Sequence, residues 1–292
     1  MNRSVRALVA MCVLLAGCAH QVKADTMTNT NASTVKAYAA INGIQLYYEV
    51  HGKAAGVPLV LLNGGGSTIE VTYGRILPYF AQHRRVIALD EQNHGRSGHR
   101  AIPERFSDSA DDVAALLKHL DINQADVMGF SNGASVAMHL ALQHRGMVRK
   151  LVFAASMTKK SGTAPQFWEA MAKGTFADMP EPLKDAFLAV NPDVSQLHDM
   201  HQKDLERMQS FVETSDEDVK SLDIPTLIVS GDRDVATNEH AVELSRLLPN
   251  ARLMILPGEH GTFLGELLGP ERGTGYPELS ARLIESFLDD RY

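Results

Sequence analysis

Apolar residues in this chain fall into short unbroken runs, and between the runs they recur every three or four positions. The runs at 44–50, 58–62, 85–90, 125–128, 150–155, 225–230 and 252–256 predict strands. The later runs are continuous Val, Ile and Leu rather than alternating, which suits parallel strands buried on both faces. The intervening stretches predict helices. Residues 108–120 place Val113, Leu116, Leu117 and Leu120 on one face, and 134–143 is amphipathic as well. A last helix opens near Pro277 and is expected to bury Leu283, Ile284 and Phe287. Strands alternating with helices predict an α/β fold built on a mostly parallel central sheet flanked by helices.

One stretch interrupts the alternation. Residues 157–222 lie between two predicted strands and carry no strand pattern of their own. They hold helical patterns, several prolines, and Phe167, Trp168, Met171, Phe176, Phe187, Met200, Met208 and Phe211. An insertion of this length with that composition reads as a helical lid whose apolar side chains form a pocket wall. The lid is expected to set substrate choice without supplying chemistry.

The N-terminus reads differently. Arg3 and Arg6 precede an apolar run at 7–16 that is far too short to cross a membrane, and the run ends in Leu15-Ala16-Gly17-Cys18. This segment resembles a bacterial lipoprotein signal, which implies that Cys18 is lipid-modified and becomes the new N-terminus. Ala19 follows it rather than Asp, which resembles the outer-membrane form of the signal. The expected organisation is therefore a signal peptide at 1–17, a polar, small-residue tether at 18–34 and a folded domain at 35–292. The expected location is the cell envelope, lipid-anchored and facing the periplasm. An ordinary secretory signal cut after Ala24, giving a soluble periplasmic or secreted protein, is the alternative.

Charge and cysteine content narrow the class. Cys12 and Cys18 are the only cysteines, so the mature domain has no disulfide and relies on its own core. The whole chain carries a formal charge of −7. Loss of residues 1–17 removes Arg3 and Arg6 and no acid, leaving 26 basic against 35 acidic residues, or −9. Nothing in this balance suggests a nucleic-acid partner. No dinucleotide fingerprint or phosphate loop occurs, so no cofactor is expected. His198 and His201 stand three apart, but no ligand cluster follows them and no metal is expected.

The chemistry concentrates in four local signals: Asn63-Gly64-Gly65-Gly66, Gly129-Phe130-Ser131-Asn132-Gly133, Gly231-Asp232-Arg233-Asp234 and Gly258-Glu259-His260. The second sits between a predicted strand and a predicted helix. Glycines two before and two after a serine let strand and helix approach closely while the turn exposes the hydroxyl. The helix N-terminus aims amide N–H groups at negative charge formed there. An alcohol needs a base within reach, and His260, after the last predicted strand, can meet a residue at the carboxyl edge of the sheet. His94 is the rival base and reads as loop scaffolding.

Taken in this order, the four signals resemble the α/β-hydrolase family over about residues 37–290. Asp90-Glu91-Gln92-Asn93-His94-Gly95-Arg96-Ser97 resembles that family's loop after the fourth strand. The resemblance implies a triad of Ser131 as nucleophile, His260 as base and Asp234 as the orienting acid, with Asp232 left to cap its loop. It implies an oxyanion hole from the N–H groups of Asn132 and Gly65, Gly66 being the other possibility. It also implies a serine hydrolase with an acyl-enzyme intermediate, acting on a small-molecule, ester-like substrate. A small or medium carboxylic ester comes first. Amide, lactone or carbon–carbon hydrolysis, perhydrolysis, and a non-catalytic envelope lipoprotein are the alternatives. The chain departs from the family at Asn63, where a histidine is usual, and at Gln92-Asn93, where Arg-Gly is usual.

Overall fold

The computed structural model describes residues 34–52, 55–269 and 275–290. Cys18, the signal-type segment and most of the tether lie outside the described residues. The core is one sheet of eight strands, β1 (Val35–Ile41), β2 (Ile44–His51), β3 (Leu59–Leu62), β4 (Val86–Leu89), β5 (Ala125–Phe130), β6 (Val148–Ala154), β7 (Thr226–Gly231) and β8 (Ala251–Leu256). The spatial order is β1-β2-β4-β3-β5-β6-β7-β8. β2 is antiparallel to both its neighbours, and every pairing from β4 through β8 is parallel. The mostly parallel α/β sheet expected from the apolar runs is therefore present.

Ten helices accompany the strands among the described residues. They are α1 (Ile69–Tyr73), α2 (Leu77–His83), α3 (Phe106–His119), α4 (Asn132–Gln143), α5 (Pro165–Lys173), α6 (Glu181–Val190), α7 (Val194–Gln209), α8 (Asp216–Lys220), α9 (Asn238–Leu247) and α10 (Gly275–Asp289). The pleat of each central strand divides its side chains between two layers. Val60 and Leu62 of β3 join Val113, Leu117, Val136 and Leu244 from α3, α4 and α9. Leu59 and Leu61 face the other way, onto Ile69, Phe80, Ile284 and Phe287 from α1, α2 and α10. Strands covered by helices on both faces have no polar face, which is why their sequence runs are continuous.

The sequence expectation missed β1 and overstated burial at one edge. β1 forms a hairpin with β2 across Asn42 and Gly43, both at positive φ (44° and 88°), the geometry of a tight hairpin turn. Its burial alternates, with Lys36, Tyr38 and Ala40 exposed and Ala39 and Ile41 buried. β8 is an edge strand, and Leu253 and Ile255 are exposed. In α10, Ile284 and Phe287 are buried as expected, whereas Leu283 is exposed.

Between β6 and β7 the chain forms α5 to α8 and two short 3-10 turns. No strand occurs in this stretch, and its one extended contact is the isolated bridge of Thr163 to Ala236. Met179, Leu183, Phe187, Leu197 and Met200 make a small apolar core of its own, seated on Val71 of α1.

Candidate active site

Three loops converge at the carboxyl ends of the central parallel strands, where open α/β sheets form their crevices. The first is the turn from β5 into α4. Ser131 occupies it with φ 53° and ψ −121°, a conformation that side chains other than glycine rarely adopt. Its backbone N–H is held by the Ala154 carbonyl at 2.9 Å. The flanking glycines are required by distance rather than by dihedral. A Cβ on Gly129 would lie 2.1 Å from the Gly133 carbonyl oxygen, and one on Gly133 would lie 2.2 Å from that of Leu62.

His260 and Asp234 come from the loops after β8 and β7. His260 Nδ1 donates to Asp234 Oδ1 at 2.6 Å. The Asp234 side chain is fully buried, and its carboxylate also accepts the N–H groups of Gly231 and Val235. Burial alone would raise its pKa. The hydrogen bond and charge of His260, helped by the two amides, outweigh burial and hold it below the ordinary carboxylate range. An ionised carboxylate only accepts, so the proton of a neutral His260 ring sits on Nδ1 and Nε2 keeps a lone pair. The Phe130 ring packs on the imidazole, with centroids 4.6 Å apart. Asp232 is directed elsewhere and accepts the Gly258 N–H at 2.7 Å.

Ser131 and His260 line the same small cavity of about 210 Å³, together with Gly64, Gly65, Phe130 and Glu266. On its other side Ser131 opens into a larger cavity of about 620 Å³. Its walls come mainly from α5 to α7, with Phe167, Met171, Leu183, Met200 and Met208 among them. Trp168, expected in this wall, lies behind it: its Nε1 donates to the Lys160 carbonyl and its ring packs on Phe167 and Phe211.

The glycine loop after β3 borders both cavities. Gly65 lies against the Asn132 side chain, because a Cβ there would meet Asn132 Nδ2 at 2.4 Å. Asn132 opens α4, and the first amides of a helix have no intrahelical acceptor. The Gly66 N–H is already engaged by the carboxylate of Asp204. Of the two glycines considered for an oxyanion donor, Gly65 is the one not committed to that bond. Asn63, which replaces the family's usual histidine, donates from Nδ2 to the Leu89 carbonyl at 2.9 Å and ties this loop to the end of β4. Asn93 takes the positive φ (64°) expected of the position where glycine is usual.

Asp204 is the residue that sequence reasoning missed. It lies on α7, inside the stretch expected to act only as a pocket wall, and it lines the larger cavity beside Ser131. Besides Gly66 it accepts from His94 Nε2 at 2.9 Å and from the Arg207 guanidinium. His94 Nδ1 donates to the Gln92 carbonyl at 2.9 Å. Nδ1 thus faces a carbonyl, and Nε2 faces the Asp204 carboxylate with the Gly66 N–H also 3.3 Å away, so both ring nitrogens of His94 are taken up within the loop network. Burial works against its charge, but the Asp204 carboxylate outweighs it and raises the pKa to about 10. Arg207 continues the network to Glu104 at 2.9 Å and Glu91 at 3.3 Å, with its guanidinium over the Phe106 ring. His198 and His201 have a different setting: both pack on the Phe176 ring.

The chain is similar to several hydrolases and related proteins. It is 36% identical over 110 residues to a 2-hydroxymuconate semialdehyde hydrolase of Pseudomonas sp. strain CF600, a match spanning 37% of this chain and 39% of that relative. It is 28% identical over 262 residues to a non-heme chloroperoxidase of Streptomyces lividans, covering 79% of this chain and 95% of the other. The enol-lactonase of Burkholderia xenovorans LB400 superposes with a TM-score of 0.69 at 21% identity, over 87% of this chain and all of that one. That last likeness concerns the fold alone. Residues 57–207, more than half the chain, match the model of the alpha/beta hydrolase fold, and the chain belongs to this family.

Proposed function

We propose that this protein is a serine hydrolase that cleaves a small or medium carboxylic ester through an acyl-enzyme. The observation that carries the reading is the placement of Ser131 in a strained strand-to-helix turn, sharing a cavity with His260, whose Nδ1 is held by a buried Asp234 at 2.6 Å. The free Nε2 lone pair takes the Ser131 proton as Oγ attacks the carbonyl carbon. The carbonyl π pair moves onto oxygen, and the N–H groups of Asn132 and Gly65 stabilise the charge. Collapse expels the alcohol, which leaves with the proton from His260. Water then attacks the acyl-enzyme by the same route and releases the acid. His260 borders only the smaller cavity, so the leaving alcohol faces that side and the acyl group faces the larger, mainly apolar one.

The names of the two sequence relatives support a second use of the same residues, carbon–carbon hydrolysis or perhydrolysis, since each can proceed from an activated serine. The test is a panel of p-nitrophenyl esters of graded chain length run beside a fluorophosphonate probe. Turnover with labelling at Ser131 supports the ester reading. Labelling with no turnover of any ester in the panel moves the assignment to the other reactions. A protein that takes no label is not an activated serine hydrolase.

The segment Leu15-Ala16-Gly17-Cys18 supports a lipid anchor at Cys18 and a place in the cell envelope. Cys18→Ser should leave an unprocessed precursor. Mass spectrometry that finds an unmodified mature N-terminus at Asp25 would refute the anchor.

A further inference from the structure

The loop that borders the scissile position is three glycines in succession, Gly64 to Gly66, and it has no Cβ to restrict its backbone. An oxyanion donor is useful only when its direction is fixed before charge develops. The restraint must come from outside the loop, and two side chains provide it. Thr72 Oγ1 accepts the Gly64 N–H at 3.3 Å, which fixes the peptide plane before Gly64. The Asp204 carboxylate is the nearer acceptor of the Gly66 N–H, with His94 Nε2 a longer contact at 3.3 Å, and it fixes the plane between Gly65 and Gly66. The peptide that carries the Gly65 N–H lies between these two anchored planes.

Thr72 belongs to α1, in the core of the fold, whereas Asp204 is supplied by α7 of the helical insertion. Its Oδ2 is close enough to touch a Cβ placed on Gly65, at 3.1 Å. A bare carboxylate this near a forming oxyanion would oppose it. Here His94 and Arg207 both donate to it and balance its charge. Arg207 also clamps α7 to Glu91 and Glu104 of the core.

Building on the serine-hydrolase reading above, we propose that Asp204 is a positioning residue for the oxyanion hole, holding the Gly65–Gly66 peptide so that the Gly65 N–H faces the reacting carbonyl. The insertion then contributes to rate as well as to substrate choice. Asp204 acts through its bond to Gly66.

The experiment compares the parent with Asp204→Asn and Asp204→Ala. It measures kcat and KM on p-nitrophenyl butyrate, and Ki for an alkyl trifluoromethyl ketone, whose hemiketal oxyanion would occupy the hole. Melting temperature is recorded in parallel, with assays kept well below it. Loss of one oxyanion donor typically costs on the order of 10²–10³ in kcat. Asp204→Ala should approach the lower end of that range, about a hundredfold in kcat, with Ki weakened by a similar factor and KM within about twofold of the parent. Asp204→Asn keeps an acceptor for Gly66 and should fall between alanine and the parent. If alanine does not fold, the asparagine variant decides by the same criterion. Variants that melt earlier but keep the parent's kcat and Ki would show that Asp204 only pins α7, and would overturn the proposal alone. A parent that neither turns over the ester nor takes a fluorophosphonate label overturns the reading of the site, and this proposal with it.

Discussion

His260 Nδ1 and Asp234 Oδ1 stand 2.6 Å apart although 26 residues separate them in the chain. The parallel pairing of β7 with β8 creates this meeting, because it brings the loops that follow both strands to the same sheet edge. Asp232, two residues earlier, faces away and secures the Gly258 N–H. Asp234→Asn should therefore lower kcat by roughly 10⁴, since an amide can donate to Nδ1 and reverse the tautomer. Asp232→Asn keeps an oxygen to accept the Gly258 N–H and should stay within a few-fold of the parent. Kinetics of the two variants under one set of conditions decide the matter, and equal or reversed losses would remove Asp234 from its assigned role.

Replacing the proposed nucleophile should give the sharpest change in rate. Ser131→Ala should cut kcat by about 10⁶, as removal of a triad nucleophile does in comparable enzymes. The backbone at Ser131 is held by the Ala154 carbonyl and by the helix that follows, and neither bond involves the hydroxyl. The melting temperature should consequently change little. A variant keeping more than a few per cent of parental turnover would exclude Ser131.

The fold was legible from the sequence because burial on both faces of β3 to β7 removes any need for polar positions, and the resulting runs are visible without a structure. β1 escaped notice because its run is broken by Lys36 and made largely of alanine, and one side of it is exposed. β8 misled in the opposite sense, since Leu253 and Ile255 are apolar yet lie on an exposed edge. Within the site, Ser131, Asp234 and His260 each follow a strand end with glycine nearby, and that local context marked them. Asp204 has no such context. Its partners, Gly66 and His94, are 138 and 110 residues away in the chain, and only the docking of α7 onto the core brings the three together. The division between wall and chemistry drawn from position in the chain did not foresee a buried carboxylate on the wall that bonds to the glycine loop.

The crossing of α4 over β3 and β5 leaves no space for a methyl group. A Cβ on Gly133 would sit 2.2 Å from the Leu62 carbonyl oxygen and 2.4 Å from that of Asn63, and neither backbone atom can move without shifting the glycine loop. Gly133→Ala should destabilise the fold by about 3 kcal/mol or more, at the upper end of overpacking costs. For a domain of this size that corresponds to a loss of roughly 6–12 °C in Tm. Thermal denaturation checks it, and a Tm within a degree or two of the parent would mean that strand and helix are not in contact there.

The His94–Asp204 pair carries a pH signature. In the folded protein the His94 pKa is raised from 6.5 to about 10, with Asp204 outweighing the effect of burial, and Glu104 and Glu91 adding to it. A group whose pKa rises on folding binds its proton more tightly in the native state. Its contribution to stability is fully present below about pH 6.5, declines as pH rises and is gone above about pH 10. His94→Gln retains a donor toward Asp204 but cannot titrate. The Tm difference between parent and variant should thus be largest and flat below pH 6.5 and shrink steadily toward pH 10. A difference independent of pH over this window would mean that His94 is not charged in the folded protein.

The larger cavity separates residues that line it from residues that merely support it. Phe167 and Met171 of α5 lie on its wall, as do Met200 and Met208 of α7. Trp168, next to Phe167 in sequence, points into the packing behind and is fixed by its bond to the Lys160 carbonyl and its contact with Phe211. Enlarging the wall should admit longer acyl chains. Phe167→Leu and Met171→Ala should therefore shift the preferred p-nitrophenyl ester upward in length, read as ratios of kcat/KM between neighbouring esters. One methylene in an apolar pocket is worth about 1–3 kcal/mol, so the ratio at the length limit should change by roughly 10-fold or more. Trp168→Phe keeps most of the packing but loses the Nε1 donor. It should lower Tm while leaving the chain-length profile close to that of the parent. If Trp168→Phe moves the profile and the two wall variants do not, the acyl chain is not held in this cavity, and the smaller one beside His260 becomes its place.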